Sequence, residues 1–163
     1  MWVPREQQGQ GRHDAPDRYG ALYVTESPVS AIAEQLARFR GRPFRPAMLI
    51  RRGRPLAMVR YELGDECQLV DLDDPATLLE ASLRPSQVAT RVRHVTRQIA
   101  TEMFAERSAA CGLRWWSTLE ASWINVTLFA ERARRELRAG EISLMTPDDG
   151  IVIDACRALG LRM

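Results

Sequence analysis

The sequence predicts an α+β fold in one domain, a compact mixed sheet with flanking helices over residues 1–163. Three observations lead there. Apolar residues recur with both a two-residue and a 3.6-residue period, but the two patterns do not alternate as βαβ units. At 163 residues the chain is long enough to bury a real core. A hydrophobic fraction of 45% with 27% charged residues is ordinary for a globular protein.

Each element follows from its local pattern. Residues 1–19 are rich in Gln, Gly, Pro and charge and read as loop, the first ten as a flexible arm. ALYVT (21–25) reads as a strand, with Leu22 and Val24 on one face and Ala21, Tyr23 and Thr25 on the other. Ser27-Pro28 opens a helix as N-cap and first helical residue. Its apolar stripe is Val29, Ile32, Ala33 and Leu36, and Gly41 closes it. Segments 46–50, 55–62 and 67–72 read as strands between Arg/Gly/Pro and Gly/Asp turns.

Asp74-Pro75 caps a short helix to about Ala81. A long helix is expected from about Ser86 to Ala109, because Val88, Val92, Val95, Ile99 and Met103 make one apolar line. Gly112 is read as its end and LRWW (113–116) as a strand. NVTLFA (125–130) and a segment centred on 142–145 read as further strands, and DGIVIDACRAL as a last helix or strand-helix unit.

Composition narrows the function. No apolar run reaches bilayer length, and the polar N-terminal stretch has no secretory pattern, so membrane insertion and export are not expected. Cys67, Cys111 and Cys156 form neither an even disulfide set nor a ligand cluster; with only His13 and His94 beside them, no metal site is expected. A reduced, cytoplasmic setting fits. The net charge of +2 is uneven: residues 38–54 hold seven Arg and no acid. That patch either meets phosphate or an acidic partner or is a solvated loop shaped by coding bias, since the chain has no Lys. Direct nucleic-acid binding is not expected, because only Phe39 and Phe44 interleave the patch and no reader motif is present. A homo-oligomer is compatible with this composition.

Arg12, Tyr23 and Glu34 stand eleven residues apart, a cation, a ring and a carboxylate. Each has a duller reading. Arg12 in its polar loop can grip phosphate bidentately or be solvated, and Arg18 nearby can do the same. Tyr23 either walls a pocket or packs in a core. Glu34, about 140° round the helix from Val29, either addresses a cleft or pairs with Arg38 one turn on. Ser117 matches S-x-x-E with Glu120 and reads as the start of a helical turn. The Asp71/Asp73/Asp74 cluster reads as turn and cap rather than a calcium loop, and no phosphate-binding glycine fingerprint is present.

Taken together, Gly11-Arg12, Leu22-Tyr23, Ala31 to Glu34, Gly112 to Ser117 and Asn125 to Phe129 resemble the RES-domain family. That family consists mostly of bacterial toxins of toxin–antitoxin pairs. The resemblance runs from about residue 11 to 130. It implies a fold similar to ADP-ribosyltransferases and cleavage of NAD, as substrate, at the nicotinamide–ribose bond by water or inorganic phosphate. It also implies a cognate antitoxin, often a small DNA-binding protein. The carried-over roles are phosphate binding for Arg12, stacking for Tyr23, and the ribose for Glu34. Ser117 would help place nicotinamide, and Asn125 would join the NAD-binding set. ADP-ribose transfer to a macromolecule and a catalytically silent binding module are the alternatives. The family pattern usually has an Arg-bearing strand ahead of the Gly-Arg loop; here Trp2-Val3-Pro4-Arg5 stands there, with Arg5 or Arg18 as substitutes.

Overall fold

The computed structural model describes residues 2–163. Strand β1 (Ala21–Thr25) leads into helix α1 (Pro28–Leu36), and two short strands, β2 (Ile50–Arg51) and β3 (Arg54–Pro55), precede β4 (Ala57–Leu63) and β5 (Gln68–Asp71). Helices α2 (Pro75–Glu80), α3 (Pro85–Val88) and α4 (Arg93–Glu106) follow. Strands β6 (Ala110–Trp116) and β7 (Ile124–Phe129), the one-turn helix α5 (Ala130–Ala133), β8 (Leu137–Leu144) and α6 (Gly150–Leu159) complete the order. The fold is α+β, with a mixed sheet and flanking helices. Its residues group into two units: the chain up to Val24 with Leu63–Arg138, and Thr25–Glu62 with Ala139–Met163.

The first unit is built on a four-stranded sheet in the order β1-β7-β6-β5, antiparallel between β6 and β7 and parallel between β5 and β6. Cross-strand partners share a face. Leu113 opposite Thr127 and Trp115 opposite Asn125 therefore define one side, and Gly112 opposite Leu128 and Arg114 opposite Val126 the other. On the first side Ala21, Leu113, Trp115 and Phe129 pack with Leu78 of α2, Val88 of α3 and Ile99, Ala100 and Met103 of α4. On the second, Leu22 and Val24 lie with Val126, Leu128, Cys67 and Cys111. Arg132 ties α4 to β6: its guanidinium donates to the carbonyls of Phe104, Arg107 and Ala110 and lies 3.9 Å from the centre of the Phe104 ring.

In the second unit the stripe of α1, Ile32, Ala33 and Leu36, is buried, and α1 packs on α6, whose own buried face is Val152, Ala155, Cys156 and Leu159. Ser27 caps α1 by accepting from the Ser30 amide, with Pro28 in the first turn, as its sequence signals require. Strands β2 and β3 form a hairpin in register Arg51↔Arg54. Its two loop residues, Arg52 and Gly53, both have positive φ, the conformation a tight two-residue turn needs. Strand β4 pairs with β8.

Several expectations are corrected. Residues 46–50 are not a strand: Pro46–Leu49 form a 3-10 turn, as a proline at the first helical position favours, and only Ile50 begins β2. The expected strand over 55–62 is split between β3 and β4. The long helix from Ser86 to Ala109 is two helices, α3 and α4. Thr90 Oγ1 accepts from the Val92 amide, a local bond that competes with the helix, and Val92 is 47% exposed rather than part of the buried line. Gly112 does not end a helix; α4 stops at Glu106 and Gly112 lies inside β6. A Cβ there would run into the Thr127 carbonyl of β7. Gly112→Ala is therefore expected to cost about 2–3 kcal/mol, measured by urea unfolding, because a backbone atom rather than a flexible side chain stands in the way. The turn expected to start at Ser117 is not helical: Ser117 Oγ accepts from Leu119 N, and the Ser117 amide bonds the Trp123 carbonyl, closing the β6–β7 connection.

The N-terminal segment, expected as an arm, is held by hydrogen bonds. Gln8 both accepts from the Ala21 amide and donates to the Ala21 carbonyl, standing in for a neighbouring strand at β1. Arg5 donates to the Pro16 carbonyl at 2.6 Å and lies 3.5 Å from Glu131, so it serves the scaffold.

Candidate functional site

The loop of residues 9–14 is organised by one carboxylate. Asp14 Oδ2 accepts from the amides of Gly9 and Gly11, both at 2.7 Å, while Oδ1 accepts from the Tyr23 hydroxyl at 2.7 Å. Tyr23 Oη in turn accepts from the His13 amide at 2.8 Å. Every donor and acceptor of this knot belongs to a turn glycine, to β1 or to the loop itself. Burial raises the Asp14 carboxyl, but the bonds from Tyr23, Gly9 and Gly11 and the nearby Arg97 outweigh it and hold the group below its ordinary value. The same contact, with burial as the larger cause, pushes the Tyr23 phenol up. Gly11 must be glycine: a Cβ would overlap the Asp14 carboxylate and the Tyr23 hydroxyl.

Beneath the loop lies the first side of the sheet. His13 is buried, its Nδ1 is 2.8 Å from Thr127 Oγ1, and Thr127 Oγ1 also accepts from the Trp115 indole at 3.1 Å. Burial first, and the Arg12 charge second, push His13 down to about 3 against the opposing pull of Asp14, so the imidazole is neutral at physiological pH. Helix α4 secures the loop from the other side. Thr96 Oγ1 donates to the Arg12 carbonyl at 2.6 Å, and Arg97 donates to the carbonyls of Gly9 and Gly11.

These contacts fix Arg12. Its Nη1 donates to the Val88 carbonyl at 2.9 Å, and its guanidinium carbon lies 4.9 Å from the centre of the Trp115 ring. Val88 ends α3, so the break between α3 and α4 is what leaves its carbonyl available to a side chain. Indole and carbonyl together set the plane of the guanidinium and hence the direction of its other donors. Tyr23 has its hydroxyl locked in the knot, yet the residue is 40% exposed. The ring thus offers a surface while its polar end is held.

Of the residues singled out from sequence, the structure brings Arg12 and Tyr23 together through His13 and Asp14. Asn125 is buried opposite Trp115, two residues along β7 from Thr127, and so lies on the same side of the sheet. Ser117 is also buried, two residues beyond Trp115. Arg18 is not part of this group: its side chain is exposed and its ion-pair partner is the neighbouring Asp17 at 3.8 Å. Glu34 belongs to the second unit, on the exposed side of α1; one turn on, Arg38 places its guanidinium over the Phe39 ring. Sequence reading missed His13, Asp14, Thr96, Arg97, Trp115 and Thr127. The available signal was an Asp three residues after the second of two close glycines, a pattern that favours side-chain-to-backbone turns.

Among the described residues no group of three His, Cys, Asp or Glu is placed to hold a metal ion, and no helix is long and apolar enough to cross a membrane. No protein of curated function and no solved structure gives a significant match to the chain. The model of the RES domain does match, over residues 2–148, and the match takes in the glycine–arginine loop, β1, α1 and the β6–β7 pair. On that extent of agreement the chain belongs to the RES-domain family.

Proposed function

We propose that the protein is a toxin that degrades NAD, breaking the nicotinamide–ribose bond and passing the ribosyl carbon to water or to inorganic phosphate. The observation that carries this reading is the rigid presentation of Arg12 over Trp115, on a loop that also holds the hydroxyl of the exposed Tyr23, in a chain of the RES family. A fixed guanidinium suits the pyrophosphate, and an aromatic plane suits nicotinamide or ribose. Ser117 is assigned to placing nicotinamide, and Asn125 to the NAD-binding set. Glu34 is assigned by its place in the family motif to the ribose and the charge that develops on it.

The chemistry asks little of acids. As the C–N bond breaks, its electron pair leaves with nicotinamide, which departs neutral, and the ribosyl carbon becomes oxocarbenium-like. A carboxylate stabilises that charge electrostatically. The acceptor then adds through oxygen and loses its proton. No imidazolium is needed, and His13 is a neutral structural partner of Thr127 in this scheme. A cognate antitoxin and action in the cytoplasm complete the proposal.

The test is NAD consumption with and without phosphate by wild type, Arg12→Ala and Glu34→Ala. Wild type is expected to consume NAD, and each variant to fall by about a hundredfold or more. If both variants stay folded and match wild type, the reading is wrong. With labelled NAD the label should remain in small molecules; label on protein or nucleic acid would point to ADP-ribose transfer instead. Absence of NAD loss under every acceptor condition would favour a silent binding module.

A further inference from the structure

We propose that a cleft in the second unit, lined by Phe39, Pro43 and Met48 together with Arg42 and Arg45, binds an acidic peptide segment carrying one large apolar side chain. The site is composed wholly of second-unit residues and needs no NAD chemistry.

The cleft has a volume of about 340 Å³ and is lined by Phe39, Arg42, Pro43, Arg45 and Met48. That is the small end of ligand pockets, about 300–1,000 Å³, enough for a single side chain rather than a dinucleotide. Its walls are set by backbone bonds. Arg42 N donates to the Phe39 carbonyl, Met48 N to the Arg45 carbonyl, and Phe44 N to the Arg162 carbonyl. Gly41 makes the intervening turn at φ +82°. A partner therefore meets a preformed shape and bears less ordering cost.

Charge selects the partner. All seven arginines of residues 38–54 are exposed. Among the described residues none of them meets a carboxylate within 4.0 Å: the ion pairs lie elsewhere, Arg51 bonds the neutral Gln35, and Arg38 lies over Phe39. Such a concentration of uncompensated guanidinium groups attracts carboxylates and can bind them bidentately. The apolar lining decides between acidic partners. A phosphate backbone gains nothing from Phe39, Pro43 and Met48, whereas a peptide can insert a Phe or Leu there and lay its acids on Arg42 and Arg45. Base stacking would need exposed aromatic faces, and Arg38 already occupies one face of Phe39.

The experiment is fluorescence anisotropy on the full chain at two salt concentrations. The probe is a labelled peptide of about twelve residues, rich in Asp and Glu, with one central Phe, a length that spans such a cleft with its flanking cations. Controls replace Phe by Ala, replace the acids by Gln, or use a single-stranded oligonucleotide of equal charge. The Phe peptide is expected to bind, and its Ala version to bind about tenfold more weakly. The Gln version should lose binding, and the oligonucleotide should not compete at equal concentration. Arg42→Ser with Arg45→Ser, both exposed, should weaken the Phe peptide at least about tenfold with an unchanged melting temperature. Met48→Glu should do the same, and Arg91→Ser, exposed in the first unit, should not. The proposal is overturned if the Phe peptide does not bind, if Phe and Ala peptides bind equally, if the oligonucleotide displaces the peptide, or if Arg91→Ser matters as much as the Arg42/Arg45 pair.

Discussion

Lowering the pH from 7 to 5 is expected to remove about 2 kcal/mol of folding stability, chiefly through His13. This histidine is 2% exposed, and burial together with the Arg12 charge brings it from 6.5 down to about 3. Between those two values the unfolded chain binds a proton that the folded chain refuses. Stability therefore rises with pH across that window, at about 1.4 kcal/mol per unit where the difference is complete. The contribution is fully present above 6.5 and is lost as the pH falls toward 3. Asp14 acts in the same direction in a lower range, because its folded carboxyl lies below 3.8 and its contribution disappears only as the pH falls beneath that. Urea unfolding at pH 7, 6 and 5 measures the slope. His13→Asn should be less stable at pH 7 yet show a shallower slope, since the group that titrates between the two states is gone. Equal slopes in wild type and variant would place the acid sensitivity elsewhere.

The parts of the fold that were legible are those whose signals are local. Ser27-Pro28 marks the start of α1, Asp74-Pro75 that of α2, and the alternation of ALYVT marks β1, because a cap or a two-residue period is complete within one segment. The parts that were not legible depend on a distant partner. Gly112 looks like a helix stop until β7 is known to lie against it, and the Val88-to-Val92 step looks helical until Thr90 and Arg12 are seen to take the intervening backbone groups. The division into two units was hidden for a different reason. Its boundaries, at 24/25, 62/63 and 138/139, fall inside β1, β4 and β8 rather than in a linker, so no change in composition announces them. At the candidate site Arg12 and Tyr23 were found by their residue types. Asp14 was not, since in a polar loop it looks solvated; its partners are two backbone amides and a phenol nine residues on.

Gly11→Ala and Asp14→Asn are expected to produce the same defect, each costing about 2–4 kcal/mol of stability and at least about tenfold in NAD consumption, with most of the kinetic loss in KM. In Gly11→Ala the new methyl falls where the Asp14 carboxylate and the Tyr23 hydroxyl meet, and Asp14 is too short and too fully bonded to move aside. In Asp14→Asn the amide can keep one oxygen for Gly9 and Gly11, but its NH2 group then faces a phenol that must donate there. Either change releases the loop that carries Arg12, so the guanidinium loses its alignment over Trp115 and its grip on phosphate loosens before chemistry is reached. Because both substitutions break one knot, the double variant should be scarcely worse than the more severe single one; additive losses would show two separate causes. Titration of the phenols supplies a readout independent of turnover. With Asp14 removed, Tyr23 keeps its burial but loses the carboxylate, and it should ionise at lower pH than in wild type, while Tyr19, whose hydroxyl donates to the His13 carbonyl, should move much less. An unchanged Tyr23 in Asp14→Asn would mean that the carboxylate does not hold the ring and that Arg12 is positioned by other contacts.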